Sequence, residues 1–134
     1  MIRLTVSAAL LALCVTGSAS AQQASWPPNT PIKRTVLQKF DVADSKSETI
    51  VGIAEVAPNV NIGRHTHFGV EAGYVIEGEV TLLVAGQPDK PLKPGDSYQI
   101  APGAPHDARS GDKGAKIIAT YVVEKGKPLS TPAP

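Results

Sequence analysis

At 134 residues the chain can build one hydrophobic core but not two. Its formal charge of +1 includes no basic run, which argues against a nucleic-acid partner. Twelve glycines, 12 prolines and 4% aromatics, beside many Val, Ile and Ala, favour short strands and tight turns over helices.

Met1 to Ala21 reads as a secretory signal peptide. Arg3 stands near the start, an apolar stretch runs from Leu4 to Val15, and Ala19-Ser20-Ala21 has the form that signal peptidase cleaves. The stretch is too short to span a bilayer as a mature helix, and a single Arg does not fit the twin-arginine route. Leu13, before Cys14, is not the small residue that a lipoprotein signal places there. Cleavage puts Gln22 first and leaves a mature chain without cysteine, so no disulfide or thiol ligand is available. The expected location is periplasmic or secreted, with no membrane contact in the mature form.

Residues 22–32 are polar and proline-rich and are expected to form an extended arm; Trp26 either moves with it or docks on the barrel or a second subunit. The folded domain is expected over 33–124. Its strands are predicted as RTVLQKF (34–40), ETIVGIAEVA (48–57), VNIGRHTH (60–67), a hairpin of YVIEG and EVTLLVAG around Gly78, SYQIA (97–101) and AKIIATYVVEK (115–125). Turn signals separate them at APN (57–59), AGQPDK (85–90), KPG (93–95), APGAP (101–105) and SGDKG (110–114). The closing residues 125–134 have a proline spacing unsuited to a sheet and are expected to be disordered. Such a chain is all-β and closes as a sandwich or a barrel.

All three histidines fall in two short stretches. His65 and His67 sit in GRHTHFGVEAGYVIEG (63–78), Glu71 follows four residues after His67, and His106 closes GDSYQIAPGAPH (95–106). In an extended strand residues i and i+2 share a face, so His65 and His67 can converge on one ion. A hairpin is expected to bring in Glu71, and a later strand His106. Three imidazoles and one carboxylate suit Mn, Fe, Co, Ni, Cu or Zn rather than Ca or Mg. His-x-His by itself is unspecific.

Together the two stretches resemble the paired motifs of the cupin superfamily. Its first motif, His-x-His, three or four residues, Glu, six residues, Gly, is met by His65, His67, Glu71 and Gly78; the second, a Gly, a Pro/Gly turn and a His, is met by Gly95, Pro102, Gly103 and His106. There are three departures: Asn59 stands where the first motif has its leading Gly, Pro102 comes one place late, and Ser110 replaces an Asn four residues after the last His. The resemblance covers about residues 48–123. It implies a small double-stranded β-helix, or jelly-roll, barrel, one divalent transition metal (Mn, Fe, Ni, Cu or Zn) on His65, His67, Glu71 and His106, and a homodimer.

In a barrel the inward positions line an apolar cavity, which strengthens a metal's pull on an oxygen ligand. Four protein ligands on a six-coordinate ion leave about two positions for a small chelating, oxygen-rich molecule such as an enediol, a 1,3-diketone, a hydroxy acid or an opened sugar. Two readings follow. In the first, an enzyme of dioxygenase, isomerase or lyase type uses the metal as Lewis acid or oxygen activator, with Glu71 as ligand and catalytic base. In the second, the barrel binds a metal or small ligand without turnover. Arg64 and Arg109 are expected at the surface, Phe68 and Tyr98 at the pocket mouth or in the core, and Asp107 either supporting His106 or solvated. No Gly-x-Ser-x-Gly, phosphate loop or zinc ribbon is present.

Overall fold

The computed structural model describes residues 31–134; the signal-like segment and nearly all of the arm, Trp26 included, lie outside the described residues. Eight strands follow, with no helix among the described residues: β1 (Ile32–Asp41), β2 (Ser47–Val56), β3 (His65–Thr66), β4 (Gly69–Val84), β5 (Lys90–Leu92), β6 (Ser97–Ile100), β7 (His106–Glu124) and β8 (Thr131–Pro132). They form one curled antiparallel sheet. The barrel thus starts at Ile32, one residue before the expected boundary.

The long pair β4 and β7 is the spine of the fold. The first half of β4 pairs with the second half of β7, from Gly69↔Val123 to Gly78↔Ala115, and the second half with the first, from Val80↔Ser110 to Val84↔His106. Between them the register breaks, and both strands bend. One layer is then β1, β2 and β6 with the near halves of the spine; the other is β5, β3 and β8 with the far halves. Buried Val75, Ile100, Ala115 and Ile117 from the first layer pack against Val80, Leu82, Leu92 and Ala108 from the second. That shared core closes the sheet on itself.

Three expectations about elements are corrected. Gly78 is not a hairpin turn: its φ of 69° places a bulge inside continuous β4, where an added Cβ would collide with the Gly114 carbonyl oxygen. The SGDKG stretch likewise does not separate strands but is the excess length of β7 opposite Glu79. The tail is not disordered, because β8 lies at the sheet edge beside β3, where Pro132 needs no ladder N–H.

The expected 60–67 strand is reduced to His65–Thr66 by Gly63, whose φ of 99° interrupts the ladder. Residues 60–63 still run beside β7, through Ser110 N–H to the Val60 carbonyl, Ile62 N–H to the Ala108 carbonyl, and Gly63 N–H to Asp107 Oδ1.

Candidate metal centre

The four expected ligands meet inside the barrel. One donor atom from each of His65, His67, Glu71 and His106 can be chosen so that all lie within 4.8 Å of one another. His65 and His106 are register partners on β3 and β7, and His67 follows β3 directly. Glu71 arrives differently from the expectation. β3 does not pair with β4, so there is no hairpin; after Phe68 the chain crosses from one layer to the other, and Glu71 faces the histidines across the interior.

Each imidazole is fixed by its Nδ1. His65 Nδ1 lies 2.6 Å from the Gly63 carbonyl, His67 Nδ1 2.5 Å from the Leu129 carbonyl, and His106 Nδ1 2.9 Å from the Ala104 carbonyl. A carbonyl only accepts, so each Nδ1 carries the proton and donates it. In the neutral ring, Nε2 then holds a bare lone pair. His67 Nε2 and His106 Nε2 are buried 2.9 and 3.3 Å from Glu71 Oε2, yet neither makes a hydrogen bond of acceptable angle. Lone pairs facing at these distances call for a positive charge between them, a proton or a cation. The donor set, the tautomers and the orphaned nitrogens therefore fit a divalent transition ion.

Glu71 is oriented by Tyr98, whose hydroxyl donates to Oε1 at 2.7 Å and leaves Oε2 toward the histidines. Burial pushes the Glu71 carboxyl up, but when a proton rather than a cation fills that gap, hydrogen bonds from the facing His106 and His67 imidazoles and from Tyr98 outweigh burial and hold it at about 2. Burial and the Glu71 charge push the Tyr98 hydroxyl up, so it remains a donor at any ordinary pH. Burial pulls His65 down, aided by the neighbouring imidazoles against its bond to Gly63. For His106 burial is overcome by Glu71 and the Ala104 carbonyl, and its value is raised.

A cavity of about 330 Å³ opens over these groups. Its wall is mostly apolar, with Ala54, Ile62, Leu82, Ile117 and Ala119, and Leu129 and Ser130 of the tail close one side. A larger cavity of about 710 Å³ lies elsewhere, lined by Glu79, Lys93, Asp96 and Arg109. It contains no histidine, and among the described residues the only group of metal-type donors is the His/Glu cluster, so the candidate metal site belongs to the smaller cavity.

The remaining candidates separate clearly. Tyr98 lines the cavity as expected, whereas Phe68 is exposed beneath Lys127 Nζ, 5.5 Å from the ring centroid. Arg64 and Arg109 are exposed. Asp107 is half-buried and makes no hydrogen bond to His106, though its charge adds to the rise of that imidazole; its Oδ1 accepts from Gly63 N–H and Ala108 N–H, bracing the residue whose carbonyl orients His65. Asn59 adopts φ 57°, the left-handed conformation a Gly would supply there and one that Asn tolerates. Ser110, buried, donates to the Ala57 carbonyl and accepts from Val60 N–H, tying the 57–60 turn to β7.

Two residues were missed: Tyr121, whose ring packs on His67 with centroids 5.0 Å apart, and Arg34 of β1. Alternation with Ile117 and Ala119 could have found Tyr121; nothing in the sequence marks the face of Arg34.

Residues 52–126 match the family described as Cupin domain. The chain belongs to the cupin family. No curated protein shows significant sequence similarity to it. Among solved structures, this cupin is similar to the DMSP lyase DddQ from Ruegeria pomeroyi DSS-3, at 19% identity and a TM-score of 0.66, covering 77% of this chain and 52% of that one. It is also similar to a Klebsiella pneumoniae protein with a double-stranded β-helix domain, at 22% identity and a TM-score of 0.63 over 81% and 90% of the two chains. A recombinant oxalate oxidase in complex with glycolate gives 19% identity and a TM-score of 0.60 over 79% and 56%. The cupin spans about half the length of the DMSP lyase structures, and at these identities the likeness concerns the fold.

Proposed function

We propose that this cupin holds one divalent transition ion on His65, His67, Glu71 and His106 and is an enzyme acting on a small, oxygen-rich chelating molecule, of dioxygenase, isomerase or lyase type. The observation that carries the reading is the set of three Nδ1-to-carbonyl bonds, which leaves each Nε2 as a lone-pair donor, those of His67 and His106 directly beside a Glu71 carboxylate oxygen. When bound, such an ion supplies Lewis acidity, or oxygen activation if it is redox-active.

The protein's own groups do the rest. The carbonyls of Gly63, Ala104 and Leu129 hold the three rings, and Tyr98 turns the Glu71 carboxylate. Glu71, which lines the cavity, would serve as ligand and, when it swings away from the ion, as the base placed to take a proton from a bound molecule. The apolar wall excludes bulk water, and a volume of about 330 Å³ admits only small ligands. Fold neighbours named as a DMSP lyase and an oxalate oxidase support a small-molecule enzyme.

Elemental analysis of purified protein, then a screen of acids, diketones, flavonol-like enediols and uronates, tests the reading. Chelators should stabilise the metal-loaded form, some should turn over, and neither effect should survive removal of the metal. Equal binding to the metal-free form would sink it; selective binding without turnover, with and without oxygen, would establish the non-catalytic reading instead.

Export to the periplasm or beyond is proposed from the Ala19-Ser20-Ala21 signal. Homodimerisation is proposed from the family resemblance and from exposed Phe40 and Tyr74 on the outer sheet face, and sedimentation velocity tests it: a monomer at micromolar concentration rejects it.

A further inference from the structure

Arg34 is the residue of the cavity that the four ligands leave unexplained. In β1 it is the register partner of Ala54, which is paired with Ile117 and through it with Val75, so it stands on the inner face of the sheet. It lines the cavity with Ala54, Tyr98 and Tyr121. Its neighbours on β1 are engaged: Lys33 Nζ lies 3.5 Å from Glu55 Oε2, and Lys39 Nζ 3.0 Å from Glu48 Oε1. Among the described residues no carboxylate lies within ion-pair distance of Arg34.

An unpaired guanidinium beside an apolar wall is an anion receptor, and its planar fork matches a carboxylate. The charge balance is also specific. Around the cavity a divalent ion and Arg34 stand against the one carboxylate of Glu71, and a ligand carrying two negative charges neutralises the remainder. One end of such a ligand would supply paired oxygens, the other a free carboxylate. Neutral diketones and sugars leave Arg34 unanswered.

Resting on the metal reading above, we propose that Arg34 is the anion-recognition residue of this cavity and that its ligand is a small hydroxy or oxo acid bearing a second carboxylate. Arg34 acts on specificity, not on the metal.

The mature chain, loaded with the ion found by elemental analysis, is titrated calorimetrically with malate and 2-hydroxyglutarate, and with the same acids whose terminal carboxylate is a carboxamide. Loss of one charge-assisted, bidentate contact is worth roughly tenfold or more, so at least one diacid should bind that much more tightly than its amide. Arg34→Gln should bring each pair to within about twofold, and Arg34→Lys, which keeps the charge but not the fork, should fall between. Arg34 is exposed, so folding is not at stake, and metal content is measured for each variant. A preference unchanged in Arg34→Gln, or diacid and amide binding equally to the wild type, overturns this inference alone. Failure of acid and amide alike to bind the metal-loaded wild type overturns it together with the chelating-ligand reading.

Discussion

At the scale of single residues, His67 gathers the most constraints: its ring packs on Tyr121, Nδ1 is held by a tail carbonyl and Nε2 faces Glu71. His67→Ala removes one of four ligands and should reduce metal content severely, and a full equivalent by elemental analysis would refute the assignment. Tyr98→Phe should keep the ion but weaken it roughly 10- to 100-fold by competition with a chelator, because Glu71 loses the hydroxyl that orients it. Glu71 also sets an acid limit on the metal-free protein. Its carboxyl is depressed from 4.5 to about 2, so its contribution to stability is complete above pH 4.5 and is lost as pH falls toward 2. The loss should be on the order of 3 kcal/mol in denaturant titrations, and Glu71→Gln should show a flatter acid limb. The four candidate ligands that the structure brings together were legible in the sequence because chemistry and spacing mark them. Arg34 was not, because IKRTVLQKFD puts charge on both faces of an edge strand and so hides which face is inside.

At the scale of elements, glycines that serve a bend within a long strand read in the sequence as breaks, a hairpin at Gly78 and a turn at 110–114. Gly78 and the SGDKG stretch carry turn residues, yet both lie within continuous strands at the register break, since a sheet that must fold over its own core needs left-handed backbone in mid-strand. Gly78→Ala combines a positive φ with a collision against backbone, and should destabilise the protein by about 2 kcal/mol or more, visible as a lower denaturation midpoint with an unchanged slope. The tail was misread for the opposite reason. Its prolines forbid a central strand but not an edge strand, and β8 pairs through Thr131 with Thr66. By reaching β3 it delivers the Leu129 carbonyl to His67. Deleting residues 126–134 should leave the barrel folded by far-ultraviolet circular dichroism while lowering metal affinity by roughly tenfold or more, since an imidazole without its outer partner loses its fixed orientation. Unchanged affinity would mean that the tail merely covers the sheet edge.

Across the whole molecule, the sheet geometry explains why motifs distant in the chain form one site. β4 and β7 each span both layers, so Glu71 near the start of one and His106 at the start of the other are set on opposite walls, and β3 with the residue after it adds His65 and His67 beside His106. Nothing in this architecture depends on a covalent cross-link, and the chain after Cys14 contains no cysteine. Core burial, without a disulfide, must therefore stabilise it in either redox environment. This bears on the route of export. A chain addressed by Ala19-Ser20-Ala21 should cross the inner membrane and begin at Gln22. Mass spectrometry of the envelope fraction should find that N-terminus, and the purified mature protein should unfold at the same denaturant concentration with and without a reductant that does not bind metal. An intact Met1 on cytosolic protein would contradict export, and a midpoint lowered by such a reductant would contradict a fold held without cross-links.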